Sequence, residues 1–257
     1  MKRVVLCMKW GTLYSADYVN VLYRAVADHM TGDFRFVCLT DDGGGIIPDV
    51  ECLPIPDIGL EPQHWRGGAW PKLSVFKDDL YDLEGRALFI DLDTVVCGSL
   101  DGMFEVDGAL VALDSRPWRY KEGAPRTGTG IFAFDLGSCG AVVDGFSARI
   151  SEFCQKYENE QDFLHGEFEG LGPGPIRYWP DEWIRSFKYH QRQPLLIDRF
   201  KGPKPPSGAA KILCFHGRPR PIDLIIPPKG NWDVFPHYGR GPVDWMVEYW
   251  TRYGGSV

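Results

Sequence analysis

The first forty residues restrict the fold more than any other stretch. Val4-Val5-Leu6-Cys7-Met8, inside Arg3 to Lys9, reads as a first strand. Ser15-Ala16-Asp17 then opens a helix in which Tyr18, Leu22, Ala25, Val26 and His29 share one face, and Gly32 ends it. Phe34 to Thr40 is a second strand, so the chain begins with a strand–helix–strand unit whose strand ends line a ligand crevice. The acidic turn Asp41-Asp42-Gly43-Gly44-Gly45 lies at such an end, but it lacks the glycine spacing of a dinucleotide loop.

Downstream, Pro71 suits the N1 position of a helix running through Phe76 to Leu80. Leu110 to Leu113 and Gly130 to Phe134 read as two strands, separated by a loop from Ser115 to Thr129 that carries Trp118, Tyr120, Lys121 and Arg126. A helix from about Ala141 to Tyr157 and a short one around Asp162 to His165 follow. Gly166 to Pro206 reads as loop-rich, Ala210 to Phe215 as the last strand, and Trp245, Tyr249 and Trp250 fall on one face of a terminal helix. Alternating strands and helices place the chain in the α/β class.

Composition narrows the function classes. With 257 residues and 44% hydrophobic content the chain can bury one large core, and a single domain is expected. A net charge of −7, with Lys and Arg read as scattered, argues against a nucleic-acid surface. Seven cysteines without a CxxC pair fit a reduced, cytoplasmic protein. The apolar run after Lys2-Arg3 is too short for a signal peptide, and no stretch approaches the ~18 apolar residues needed to span a bilayer.

The chemistry concentrates in Ala87-Leu88-Phe89-Ile90-Asp91-Leu92-Asp93-Thr94-Val95-Val96. Aspartates are poor strand residues. On an extended chain Asp91 and Asp93 project to one side while Leu92 turns to the core. Two carboxylates at one point call for a hard divalent cation, Mg²⁺ or Mn²⁺, and hence for phosphate chemistry. The plain alternative is a pair of solvated loop aspartates.

Four segments in order, Asp91-Leu92-Asp93 after an apolar strand, Gly128-Thr129-Gly130-Ile131-Phe132-Ala133-Phe134, Gln161-Asp162 ahead of a helix, and His216-Gly217 after a late strand, resemble the family 8 type of GT-A glycosyltransferase over residues 1 to about 220. The resemblance implies a GT-A fold, a mixed and mainly parallel sheet flanked by helices, with residues 1–135 as the nucleotide-sugar and metal half. Residues 136–257 would then form a loop-rich acceptor half carrying the late metal-ligand motif. It implies transfer of a hexose from a nucleoside diphosphate sugar, UDP-hexose, to a saccharide or other hydroxyl acceptor with retention of configuration. By the same resemblance Asp91, Asp93 and His216 hold Mn²⁺ or Mg²⁺, the mixed carboxylate–imidazole set favouring Mn²⁺.

Leu92, Thr129 and Gly217, inside those motifs, would face the donor. Lys72, Arg218 and Arg220 are candidates for the diphosphate, and Lys9, Trp10 and Tyr14 for the nucleoside base. Asp162 and Gln161 are the catalytic candidates at the donor sugar, Asp162 alternatively serving as a helix N-terminal acid. Trp70, Trp118, Trp179 and Trp183, expected in loops, could pack on acceptor sugar faces. Two departures stand out. Gly128 replaces the family's asparagine, and the short run His216-Gly217-Arg218-Pro219-Arg220-Pro221 lacks the family's lysine spacing.

Two other readings share the motif. A haloacid-dehalogenase-type phosphohydrolase would use Asp91 as nucleophile and Asp93 as acid/base. That motif opens its domain, whereas a full strand–helix–strand unit precedes it here, and no Gly-Thr follows Asp93. The third reading is a non-catalytic nucleotide-sugar-binding protein.

Overall fold

The computed structural model describes residues 2–118, 126–198, 200–233 and 235–257. Tyr120 and Lys121 lie outside them. In chain order the elements are β1 (Arg3–Lys9), α1 (Ala16–Asp28), β2 (Arg35–Thr40), β3 (Glu51–Leu53), β4 (Arg86–Ile90), β5 (Thr94–Val96), β6 (Leu110–Asp114) and β7 (Thr127–Asp135). There follow α2 (Gly140–Ser147), α3 (Ile150–Lys156), α4 (Glu160–Leu171), β8 (Ile176–Tyr178), β9 (Ile184–Ser186), β10 (Ile212–Cys214), α5 (Pro221–Ile225) and α6 (Asp244–Arg252). No helix among the described residues is long and apolar enough to cross a membrane.

Seven strands form one sheet in the order β3-β2-β1-β4-β7-β6-β8, and only β7 pairs antiparallel with its neighbours. The sheet is therefore mixed and mainly parallel. Both of its faces are covered, and the period-two alternation of the strands decides which residue goes where. Val5, Cys7, Leu88 and Ile90 pack toward α1 and α6, with Leu22, Val26, Met246 and Trp250. Val4, Leu6, Ala87 and Phe89 pack toward α2, α3 and α4, with Phe146, Phe153, Phe163 and Phe168. A second, three-stranded sheet runs β5-β10-β9.

Several expected elements differ. The segment after Pro71 is a 3₁₀ helix over Trp70–Phe76 that stops short of Leu80. The helix expected from Ala141 to Tyr157 is two helices, because Arg149 adopts φ −141° between them. Gly145 and Ser147, weak helix formers, precede the break, and the Ser147 hydroxyl donates to the Ile58 carbonyl at 3.0 Å. Instead of the short helix expected around Asp162 to His165, α4 runs twelve residues, since Phe163, Leu164 and Phe168 bury one face. Gly166 belongs to it because the Tyr157 side chain fills the space a Cβ would need, 2.4 Å from its hydroxyl. The region expected to be loop-rich also holds β8, β9 and a single π turn over Phe187–Gln191.

Candidate active site

Asp91 and Asp93 do not lie on a strand. The chain leaves the large sheet after Ile90, turns through Asp91-Leu92-Asp93, and enters the small sheet at Thr94. The turn is fixed at both ends: the Asp91 amide donates to the Gly130 carbonyl at 2.9 Å, and the Thr94 hydroxyl to the Asp91 carbonyl at 2.7 Å. Leu92 is buried, as expected. Antiparallel pairing of β5 with β10 sets Thr94 opposite Cys214, and the Phe215 amide donates to the Asp93 carbonyl at 3.2 Å. The late segment Phe215-His216-Gly217 is thereby delivered beside the aspartates across more than 120 residues of chain.

Two adjoining cavities share Ala69, Lys72, Asp91 and Asp93 as a common wall. The larger, about 720 Å³, is lined by Trp10, Tyr14, Trp65, Arg66, Leu92 and Arg220 among others. The smaller, about 420 Å³, is lined by Trp118, Thr129, Glu160, Gln161, His216 and Gly217 among others. Both volumes fall in the range of small-molecule sites, which is roughly 300–1,000 Å³.

A buried charge cluster occupies the shared wall. The Lys72 ammonium, on a side chain only 7% exposed, lies 2.8 Å from Asp91 Oδ1 and 3.2 Å from Glu160 Oε1, and donates to the Thr129 carbonyl at 3.3 Å. Glu160 accepts a second hydrogen bond from the Thr129 hydroxyl at 2.6 Å, while Gln161 Oε1 accepts from the Thr129 amide at 3.3 Å. Two carboxylates raise the Lys72 pKa against a desolvation that alone would lower it. Asp91 is pushed up to about 7, by burial first, with Lys72 pulling it down and Asp93 pushing it further up. Burial also raises Asp93, partly offset by the Tyr14 hydroxyl donating to its Oδ2 at 3.0 Å. Tyr14 is itself driven upward by burial and by that carboxylate.

Three carboxylates thus face one ammonium. When all are ionised the cluster retains an excess of two negative charges, a donor set that fits a divalent cation at Asp91 and Asp93. His216 lines the same cavity, but its Nε2 pairs with the Ser186 hydroxyl at 2.7 Å and its ring stacks on Trp118 at 5.6 Å. Among the described residues no group of three or more His, Cys, Asp and Glu is assembled closely enough to hold a metal ion.

The remaining candidates divide. Trp10, Tyr14, Leu92, Lys72 and Arg220 line the larger cavity, and Thr129, Gln161 and Gly217 the smaller. Lys9 is buried with its ammonium donating to the Asp42 carbonyl at 3.2 Å. Arg218 lines a separate cavity of about 340 Å³ with Trp232 and Phe235. Asp162 lies one residue beyond the α4 positions that reach the cavity, its amide capped by Asn159 Oδ1 at 2.9 Å. Of the four tryptophans expected in loops, Trp70 and Trp179 are core residues, Trp183 packs partly buried beneath the Lys211 ammonium, and Trp118 alone lines the small cavity. Gly128 has a structural cause: a Cβ there would stand 2.3 Å from Leu113 Cδ1, so the leucine occupies the space a larger residue would need.

Sequence reasoning missed Glu160 as a site residue, along with Arg66. A glutamate only 4% exposed needs a cation, but nothing local announces that Lys72 supplies it. Arg66 is exposed at the larger cavity and makes no ion pair among the described residues.

No protein-family description matches the sequence, and no curated protein matches it. Solved structures do match. The galactosyltransferase LgtC in complex with donor and acceptor sugar analogs superposes with a TM-score of 0.60 at 15% identity, covering 99% of this chain and 97% of that one. The apo form of glycosyltransferase GlyE from Streptococcus pneumoniae TIGR4 gives 0.59 at 16%, covering 98% of this chain. The chain spans 62% of the GlyE chain's length. The bifunctional glycosyltransferase WbbM gives 0.51 at 14%, over 86% of this chain. This chain has the GT-A glycosyltransferase fold. The Asp91-Leu92-Asp93 turn, at the end of the GT-A sheet's central β4, is where the two cavities meet.

Proposed function

We propose that the protein is a glycosyltransferase that moves a hexose from a nucleoside diphosphate sugar, UDP-hexose by preference, to the hydroxyl of a saccharide or other acceptor, with retention of configuration. The observation that carries this reading is the position of Asp91 and Asp93 on the wall between two cavities of unequal character. The larger offers aromatic rings and two arginines, Arg66 and Arg220, suited to a base and a diphosphate. The smaller offers carboxylate, amide and imidazole groups suited to sugar hydroxyls. The fold's likeness to LgtC, solved with donor and acceptor sugar analogs, supports the same reading.

Asp91 and Asp93 would hold the divalent cation, Mn²⁺ or Mg²⁺, with His216 joining them by giving up its Ser186 partner. When bound, that cation supplies charge neutralisation for a diphosphate leaving group. Lys72 keeps Asp91 and Glu160 in place and lowers the cost of their ionisation. Arg220 and Arg66 bind phosphate oxygens from the open side. Gln161, held by the Thr129 amide, presents its side chain to the sugar, and one of the LgtC structures carries an active-site Gln-to-Glu change. Asp162 follows it in the same first turn of α4 and is assigned a supporting part at the donor sugar. Trp118 offers a ring face to the acceptor. The nucleophile reading of Asp91 finds less support, because Lys72 already engages that carboxylate and a full strand–helix–strand unit precedes the motif.

The test is a donor screen that follows nucleotide release from a panel of UDP and GDP sugars with Mn²⁺ present. Turnover with one donor, lost in Asp93→Ala, is expected. Absence of release from every donor together with hydrolysis of p-nitrophenyl phosphate would replace the proposal with the phosphohydrolase.

A further inference from the structure

Charge is unevenly divided along the chain, contrary to the reading of Lys and Arg as scattered. Residues 185–240 hold 11 Lys and Arg against 3 Asp and Glu, a net +8 in a protein whose total is −7. The same region carries most of the exposed apolar surface. Leu195, Leu196, Ile197, Phe200, Phe235 and Tyr238 are six of the eleven large apolar side chains exposed among the described residues, with Phe200 at 88% and Leu196 at 72%.

These side chains sit on two segments that the fold joins. Asp198, between Ile197 and Phe200, is 2% exposed and accepts from His237 Nδ1 at 2.6 Å, and His237 lies between Phe235 and Tyr238. Arg192 grips Asp233 through two hydrogen bonds of 2.7 Å, tying the same segments a second time. Behind them the Lys204 amide donates to the Gln191 carbonyl at 3.0 Å and the Trp245 indole to the Pro203 carbonyl at 2.9 Å. The apolar tips are therefore presented by an anchored platform. Around them Lys201, Lys204, Lys229 and Arg240 are exposed and make no ion pair among the described residues.

We propose that this face docks the protein onto an anionic lipid bilayer surface. Apolar side chains that project beside unpaired cations match the two layers of such a surface, acyl chains below and negative headgroups above. A partner protein of ordinary composition would answer the charge or the apolar tips; an anionic bilayer answers both at once. Residues outside 185–240 sum to −15, so attraction to a negative surface falls to this region. This inference does not rest on the sugar-transfer reading.

The experiment is sedimentation of the full chain with vesicles of equal parts phosphatidylglycerol and phosphatidylcholine, and with phosphatidylcholine alone. Binding to the anionic vesicles only, weakened by added salt, is expected. Leu196→Ser with Phe200→Ser should lower the partition coefficient by about 100-fold, on the scale of burying two large apolar side chains. Lys201→Glu with Lys204→Glu should lower it by roughly 10-fold or more. All four positions are exposed, and circular dichroism checks that the variants fold; the wild-type salt and lipid dependence judges the proposal by itself. Absence of binding to anionic vesicles, or equal binding to both, overturns it. So does a concentration-dependent dimer in analytical ultracentrifugation that the apolar variant abolishes without any vesicle binding.

Discussion

Replacing Lys72 with methionine tests the charge cluster on the wall between the cavities. Methionine preserves most of the apolar stem, so the change removes chiefly the ammonium that lies 2.8 Å from Asp91 and 3.2 Å from Glu160. Each pair is worth on the order of 4 kcal/mol at an effective dielectric constant near 20, offset in the wild type by desolvation of the three groups. With the cation gone, desolvation of Asp91 and Glu160 is no longer compensated, and the loss for breaking a buried pair is about 3–5 kcal/mol. In a chain of this size that lowers Tm by about 10 °C. The pH dependence separates charge from packing. With the ammonium gone, burial keeps the Asp91 pKa raised above its unfolded value of ~4, so the penalty is absent below that pH and grows as pH rises through the folded value. Urea denaturation should therefore show the variant several kcal/mol weaker than wild type at pH 8 and much closer to it at pH 4. An equal loss at both pH values would mean that Lys72 acts by packing alone, and no loss at either would refute the cluster's energetic role.

Asp91→Asn follows the same logic with the opposite sign. Its folded pKa of about 7 lies above the unfolded value, so wild-type stability falls as pH rises from ~4 toward 7, and the amide escapes that fall. The variant should match wild type near pH 4, exceed it by about 4 kcal/mol at pH 8 in chemical denaturation, and lose donor turnover. Gly128→Asn, which restores the residue expected from the glycosyltransferase pattern, should cost about 1–3 kcal/mol through the clash with Leu113, and Leu113→Ala in the same chain should recover part of it. Gln161→Ala should lower kcat by roughly 10- to 100-fold with little change in KM for the donor, read by nucleotide release.

How much of this was legible in the sequence follows from the range of the interactions. β1, α1 and β2 are local patterns, and Arg3 to Lys9 and Ser15-Ala16 mark their boundaries closely. The Asp91-Leu92-Asp93 motif was visible, but its geometry was not. An extended strand and a turn between two sheets both bury Leu92, and the choice is made by β10, which joins β5 from far downstream. The same nonlocal pairing sets His216 on the cavity, although its hydrogen bond to Ser186 depends on β9, a three-residue strand inside a stretch that reads as loop. Glu160 went unread beside Gln161, because a buried glutamate is recognised only once Lys72 is placed next to it. The glycines of α4 concealed a full helix, since Gly166 is there to admit the Tyr157 side chain. The basic bias of residues 185–240 was readable by summing charge in segments, as it is spread too thinly to form a run.

The most direct test of the central claim is calorimetric titration of UDP and GDP into wild type and Asp93→Ala, each with and without Mn²⁺. A donor that spans the two cavities across Asp91 and Asp93 predicts nucleotide binding to the wild type that requires the ion and disappears in the variant. Binding that is indifferent to both Mn²⁺ and Asp93, or absent for both nucleotides, would contradict it.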